Sequence, residues 1–83
     1  MEERKLIGEV THYYGDLKVA VVKFNQAASV GDRVHFKGAT TDFEQEIESM
    51  QLDHGAVEKA AKGKEVGLKV KDKVRAGDGV YAA

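Results

Sequence analysis

Apolar residues recur at every second position over several short runs of this chain, which is typical of strands that bury one face of a sheet. The clearest run places Val66, Leu68 and Val70 in one phase, with Gly67 and Lys69 between them. Valine is frequent, and it favours the pleated surface of a strand. The pattern predicts six strands, over residues 5–14, 17–25, 33–37, 40–52, 65–71 and 79–82.

The fourth predicted strand changes phase part-way along its length. Phe43 and Ile47 lie in one phase of the alternation, whereas Met50 lies in the other. A regular strand cannot bury all three on one face, because successive side chains point to opposite faces. One extra residue restores the inward phase, so we predict a β-bulge near Glu48 and Ser49.

Glycine marks the connections between the predicted strands. Gly-Asp pairs occur at residues 15–16, 31–32 and 77–78. Each pair predicts a turn, because glycine tolerates a positive φ and aspartate accepts hydrogen bonds from nearby backbone N–H groups. Residues 56–62 predict one or two helical turns, and Gly63 is placed to end them.

Six short strands joined by turns indicate an all-β barrel or sandwich. The chain has 83 residues, the size of one small domain. We therefore expect a single domain over residues 1–83, with its core at about residues 6–81 and no linker. Proline is absent, and closure of the sheet would protect strand edges that no proline interrupts.

The composition excludes several kinds of chemistry. There is no cysteine, so neither a disulfide nor a thiolate site can form. His12, His35 and His54 are the only histidines, and none are spaced as His-x-x-x-His, so we predict no metal site. No Gly-rich phosphate loop or Gly-x-Ser-x-Gly elbow occurs. We expect no cofactor and no enzymatic activity, also because so small a barrel has no room for a packed core and a substrate cavity of about 300 Å³.

The chain shows no signal for a membrane. No apolar run approaches the ~18 residues of a membrane-spanning helix, and the charged start lacks the apolar stretch of a secretory signal. We therefore expect a soluble, cytoplasmic protein.

Charge is distributed unevenly along the chain. The formal net charge is −1, yet residues 55–83 carry seven basic and four acidic side chains. A local basic surface can contact phosphates, so this segment is the predicted polyanion-binding site. Tyr13 is a candidate for stacking against a base. The candidate polyanion-binding residues are Lys59, Lys62, Lys64, Lys69, Lys71, Lys73 and Arg75.

The same basic residues permit a structural interpretation. If the fourth and fifth predicted strands are antiparallel neighbours, an acidic stripe faces a basic stripe as a surface ladder of ion pairs. Each such pair contributes only roughly 0.2–1 kcal/mol. The sequence leaves the ladder and the separate basic patch both open. The ladder would pair Glu48 with Lys69, Glu46 with Lys71, Glu44 with Lys73 and Asp42 with Arg75.

Four short motifs, in their order and spacing, resemble the β-barrel second domain of the translational GTPases, the domain that follows the G domain in elongation factor Tu. Together they span nearly the whole chain. In this resemblance Ala60 is the small residue that lets its loop pack over the barrel end. The first motif combines residues 7–10 with Val-Gly-Asp-x-Val-x-x-x-Gly at residues 30–38, and the second covers residues 47–51. The third covers residues 66–70 and is preceded by Ala60 and Gly63, and the fourth is Gly-Asp-Gly-Val at residues 77–80.

The resemblance implies a small closed six-stranded Greek-key barrel of the translation-factor domain 2 type. It implies no GTP chemistry, because the chain contains no G domain. The implied function is that of a non-enzymatic, translation-associated binding module. Such a module would contact RNA, the ribosome or a translation factor through the basic segment.

Barrels of this kind also occur as C-terminal domains of collagenase-like peptidases. The second hypothesis is therefore a protein-interaction accessory barrel for a partner enzyme, either peptidase-like or a GTPase, without RNA contact. Its interface would be apolar and tolerant of salt. Leu17, Val19 and Val21 share one phase of the second predicted strand and are candidates for that interface.

Overall fold

The computed structural model describes residues 5–52 and 55–83. Within these residues it contains ten β-strands and no helix. The strands are β1 (Leu6–Tyr14), β2 (Val19–Phe24), β3 (Ala28–Ser29), β4 (Arg33–Lys37), β5 (Asp42–Glu46), β6 (Met50–Leu52), β7 (Gly55–Val57), β8 (Lys59–Ala60), β9 (Glu65–Lys69) and β10 (Gly79–Ala82).

Eight of the strands form one curled antiparallel sheet, in the order β5-β4-β10-β1-β2-β9-β6-β7, and β3 pairs with β8 in a small second sheet. The all-β class is therefore confirmed. The predicted closed six-stranded Greek-key barrel is wrong, because the sheet forms a half-barrel. Closure would need the edge strands β5 and β7 to pair with each other, but in the described residues their backbone ladders run to β4 and β6.

The apolar residues of β1 do not alternate regularly, because the strand contains a bulge. The register of β1 against β2 shifts between Val10 and His12, so Thr11 is an extra residue in β1. The hydroxyl of Thr11 donates a hydrogen bond to the carbonyl oxygen of Val21, at 3.2 Å. This bulge moves Tyr13 onto the phase that packs against the core.

The segment predicted as one long strand is two strands with different partners. β5 pairs with β4, whereas β6 pairs with β7 and β9. Between them, the N–H of Ile47 donates to Asp32 O at 2.8 Å, and Ile47 O accepts from Gly31 N–H at 2.9 Å. Ile47 and Met50 are both buried. The predicted change of phase is therefore correct, but it occurs as a break between strands that leads the chain across to the far edge of the sheet.

The predicted helical turns at residues 56–62 are wrong. Residues of β7 and β8 occupy this segment, and Ala60 pairs with Ala28. The N–H of Val30 donates to the carbonyl oxygen of Glu58, at 2.8 Å. So short a segment is marginal as a helix without tertiary support, and here the tertiary hydrogen bonds favour extended backbone. Gly63 has a φ of +83° and belongs to a turn before β9 instead.

The core is one cluster of buried apolar side chains on the inner face of the sheet. The ring of Phe43 stacks on that of Phe36, with 5.1 Å between centroids. Val66, Leu68 and Val70, which the sequence places in one phase, are buried as expected. The core residues are Ile7, Val10, Ala20, Val22, Phe24, Ala28, Val34, Phe36, Ile47, Met50, Ala60, Val66, Leu68, Val70, Val74 and Val80.

Candidate functional site

A charged cleft opens where β5 faces the end of β9. The two segments come close because the sheet curls, and no backbone ladder joins them in the part of the chain that the structure describes. The cleft has a volume of about 380 Å³. Its lining residues are Lys18, Arg33, Gln45, Glu46, Glu48, Lys69, Val70 and Lys71.

The side chain of Gln45 spans the two sides of this cleft. Its Nε2 donates to the carbonyl oxygen of Lys69, and its Oε1 accepts from the N–H of Lys71, both at 2.9 Å. Gln45 is buried, and a buried amide is costly unless it is hydrogen-bonded. One side chain thus provides the pair of bonds that a neighbouring strand would otherwise make, and it fixes the spacing of the cleft.

Lys18 enters the cleft from the turn between β1 and β2. Its φ of +53° makes it the one described residue other than glycine with a positive φ. The carbonyl oxygen of Lys18 accepts from the N–H of Val70, at 2.9 Å. This bond continues the pairing of β2 with β9 by one residue, and it anchors Lys18 beside Lys69 and Lys71.

The charges around the cleft are largely unpaired with one another. Within residues 5–52 and 55–83, Lys18, Lys69 and Lys71 form no ion pair, and neither do Glu46 and Glu48. Residues on strands β4 and β5 do pair nearby, since Arg33 Nε lies 3.6 Å from Glu44 Oε1. The cleft therefore has carboxylates on the β5 side and ammonium groups on the β9 side, across open space.

Within the described residues, the four predicted ion pairs between the acidic and basic stripes do not form. Asp42 pairs with Lys37 and Glu44 with His35, because β5 lies beside β4. Only the ends of the two stripes meet, at the cleft. The sheet order explains the error: β9 has β2 and β6 as its neighbours, and only residues of β6 continue the fourth predicted strand there.

The seven candidate polyanion-binding residues are distributed over several parts of the surface. Lys69 and Lys71 line the charged cleft, and Lys62 lines a second groove. Lys59 is exposed on β8. The others, Lys64, Lys73 and Arg75, are exposed in the segments flanking β9. The structure thus brings only two of the seven together at one site, and polyanion binding by the seven stays a prediction.

Sequence reasoning missed Lys18, Arg33 and Gln45 as members of the cleft. Gln45 had a detectable signal, because it occupies the inward phase between Phe43 and Ile47, where a polar side chain needs a buried partner. Lys18 and Arg33 had none, since the curl of the sheet alone brings them to the cleft.

The second groove lies between β1, the end of β2 and the turn at Gly63, and its volume is about 480 Å³. Leu6 is 46% exposed at this groove, with Lys23 and Lys62 among the other lining residues. Both open volumes lie on the surface, outside the core. They are open grooves that the curl of the sheet leaves on the surface, so the expected lack of room for a substrate cavity of about 300 Å³ beside a packed core stays a prediction.

An apolar patch covers the outer face of β2 and the preceding turn. Leu17 is 67% exposed and Tyr14 is 52% exposed. Tyr14 pairs with Val19 across the β1–β2 ladder, and Val21 lies further along the same face. We call these four residues, Tyr14, Leu17, Val19 and Val21, the β2 outer patch.

The aromatic residues differ in exposure from what the sequence suggests. Tyr13, the candidate for base stacking, is half-buried against the core, whereas Tyr14 is exposed. The Thr11 bulge causes this exchange, because it inverts the phase at the end of β1. Base stacking by Tyr13 stays a prediction.

Two histidines lie within the described residues, and neither builds a metal centre. His35 lies between two carboxylates: its Nε2 is 2.5 Å from Asp42 Oδ1, and its Nδ1 is 3.3 Å from Glu44 Oε2. His12 stacks on Tyr14, and His54 lies outside the described residues. Among residues 5–52 and 55–83, no cluster of three His, Asp or Glu side chains is arranged to hold a metal ion. In the same residues no helix is long and apolar enough to cross a membrane.

Comparison with curated proteins shows similarity to proteases. The chain is 40% identical over 76 residues to an uncharacterized protease of Methanocaldococcus jannaschii, a match that covers 90% of this chain and 19% of that protein. It is 31% identical over 81 residues to a collagenase of Porphyromonas gingivalis, covering 95% of this chain and 22% of the collagenase. The chain thus spans about a fifth of the length of these relatives. No family model matches the chain.

Solved structures show which part of such proteins is similar. Two crystal structures of the C-terminal domain of a U32 peptidase from Geobacillus thermoleovorans superpose with TM-scores of 0.88 and 0.89. The first is 26% identical and covers 94% of this chain and 99% of the solved domain. The second is 24% identical and covers 95% and 92%.

These findings overturn the resemblance to translation factors. The proteins found are proteases and a peptidase domain, not the second domain of a translational GTPase. The motifs behind that resemblance describe turns instead: Gly31 has a φ of +98°, and the carboxylate of Asp32 accepts from Ser29 N–H at 2.9 Å. Any antiparallel sheet that needs such a turn can use this sequence. The fold of the chain is that of the C-terminal domain of a U32 peptidase.

Proposed function

We propose that this chain is a non-catalytic accessory domain that packs against a peptidase-like protein region through the β2 outer patch. The fold supports this role, because it matches a domain that forms one part of a peptidase. The relatives support it as well, because the similarity covers about a fifth of each protease and leaves most of its length for other domains.

The observation that carries the proposal is the exposure of the β2 outer patch. The outer face of an antiparallel sheet is normally polar where it meets water. Here Leu17 is 67% exposed at the tip of the turn, and Tyr14 is 52% exposed beside it. A contiguous apolar patch on a small protein marks an interaction surface.

The exposure within the patch agrees with docking by a protein surface. Val19 and Val21 are half-buried on the outer face of the sheet. Leu17 and Tyr14 are the most exposed members of the patch, and they are suited to be the anchors of an interface. Burial of the Leu17 side chain contributes about 1.5–3 kcal/mol, so its loss weakens binding by roughly tenfold or more.

The test uses the M. jannaschii protease without the 76 residues that this chain matches. The truncated protease is first shown to unfold cooperatively on heating, and its binding to this chain is then measured by calorimetry. We expect binding that tolerates salt. The intact protease should bind much more weakly, because its own domain occupies the same surface.

The variants Leu17→Ser and Val30→Ser form the matched pair for this test. Val30 is also exposed, at 38%, but lies outside the β2 outer patch. We expect Leu17→Ser to lose most of the binding and Val30→Ser to retain it. No binding to the folded truncated protease, or equal binding by the two variants, would refute the docking proposal. Peptide hydrolysis by the isolated chain would refute its non-catalytic character.

A further inference from the structure

We propose that the charged cleft is a binding site for a short zwitterionic peptide, with the peptide's carboxylates toward Lys69 and Lys71 and its ammonium group toward Glu46 and Glu48. The cleft adjoins the β2 outer patch, because Lys69 pairs with Val19 and Lys18 lies between Leu17 and Val19. The two proposals are tested with different ligands and different variants, so the failure of one is distinguishable from the failure of the other.

The separation of unlike charges carries the argument. Glu46 and Glu48 line the β5 side of the cleft, and Lys69 and Lys71 line the β9 side. None of these residues forms an ion pair within the part of the chain that the structure describes. Opposite charges on two facing segments normally attract each other, but here open volume lies between them. A ligand that carries both charges can satisfy both sides at once.

Gln45 fixes the distance between the two sides of the cleft. Its amide bonds to the backbone at Lys69 and at Lys71 set the distance between β5 and the end of β9. The cleft is therefore formed before any ligand arrives, and a preformed site avoids the ordering cost of binding. Its volume of about 380 Å³ lies at the small end of ligand pockets, roughly 300–1,000 Å³, which suits a peptide of a few residues.

The backbone of Lys18 is a second, independent observation. A lysine with a φ of +53° is strained, whereas glycine at the same position would not be. Strained residues of this kind concentrate at functional sites. Lys18 is thus a third basic residue that lines the cleft, together with Lys69 and Lys71.

The charge balance selects the ligand. Three lysines and two glutamates that form no ion pair within residues 5–52 and 55–83 give the cleft a net charge of +1, apart from Arg33, which pairs with Glu44. A phosphate polymer would meet repulsion from both glutamates. A peptide with two carboxylates and one ammonium group has the complementary net charge of −1.

The test is an NMR titration of the isotope-labelled chain with the tripeptide Gly-Gly-Glu, whose free ends and side chain carry these charges. We expect saturable shifts of the amide signals of Glu46, Lys69 and Lys71. N-acetylation of the tripeptide removes its ammonium group, and we expect this to weaken binding by up to about fivefold. Equal affinity for the free and acetylated tripeptides, or tighter binding of a thymidine hexanucleotide at the same salt concentration, would overturn the proposal.

Two double variants provide the matched control. We expect Lys69→Glu/Lys71→Glu to abolish the shifts and Lys59→Glu/Lys62→Glu, with the same change in net charge, to leave them unchanged. Should the first variant lose the dispersed spectrum of a folded chain, Lys18→Gly replaces it, because glycine relieves the strained φ. Loss of the shifts on Lys18→Gly supports the site, and unchanged shifts refute it.

Discussion

Gly38 lies directly against the carboxylate of Asp78, so that a methyl group on Gly38 would overlap Oδ1 and lie 2.6 Å from Cγ. Asp78 is buried in the turn before β10. Its Oδ2 accepts from the hydroxyl of Thr41 at 2.5 Å and from the N–H of Arg75 at 2.9 Å. One carboxylate therefore joins the β4–β5 turn to the turn that starts β10, and it depends on the absence of a side chain at Gly38.

We predict that Gly38→Ala destabilises the fold by about 1–3 kcal/mol, because the carboxylate of Asp78 must move away from its donors. Urea unfolding measures this change. Gly55→Ala is the control, since a methyl group on Gly55 makes ordinary van der Waals contact, 3.5 Å from Leu52 O. Equal stability of the two variants would show that the turn adapts to the added group.

Gln45→Leu should destabilise the fold by about 1–3 kcal/mol, because it leaves Lys69 O and the N–H of Lys71 without their partner. Hydrogen exchange offers a local readout, and we expect the amide of Lys71 to exchange faster in the variant. Gln51→Leu serves as control, because Gln51 is exposed. Unchanged protection of Lys71 would argue against the bridging role of Gln45.

Lys18→Gly should raise the free energy of unfolding by about 0.5–1 kcal/mol, because strain at a positive φ costs more than the added freedom of glycine in the unfolded chain. Lys18→Val should lower it, since a β-branched residue at positive φ is more strained. Thermal unfolding of both variants tests whether the two substitutions change the stability in opposite directions. If the Lys18→Gly variant is more stable and no longer binds the tripeptide, then the lysine lowers the stability of the fold and is required for binding in the cleft.

Ala60→Leu should destabilise the fold by about 1–3 kcal/mol, because Ala60 is buried opposite Ala28 and extra methylenes in a packed core force their neighbours to move. Ala61→Leu changes an exposed neighbour and should be close to neutral. Urea unfolding of the pair tests the packing of the small sheet. Comparable stability of the two variants would mean that β3 and β8 separate readily.

The strands with strong local alternation were predictable. β4 and β10 have the predicted boundaries, and in β4 the reason is visible, since Val34 and Phe36 alternate with polar residues. β3 and β8 were not predictable, because each has two residues. Such strands exist only through their partner, and pairing between distant residues leaves no local periodicity.

The candidate site was predictable only in part, because its residues come from four separate segments. Lys69 and Lys71 were identified from their charge. Lys18 and Arg33 reach the same cleft through the curl of the sheet, which no periodicity encodes. The mistaken resemblance has a related cause, since short turn motifs report local backbone geometry and not the protein in which it occurs.

The position of β10 in the sheet affects the order in which the strands can pair during folding. β10 lies between β1 and β4, and it pairs Tyr81 with Leu6. Within this chain β1 must therefore wait for β10, which is distant in sequence, before its second edge is covered. Pairings between such distant residues slow folding. During that interval β1 and β4 present open edges that can recruit other chains, so we expect the yield of folded protein to depend on the concentration at which it is refolded.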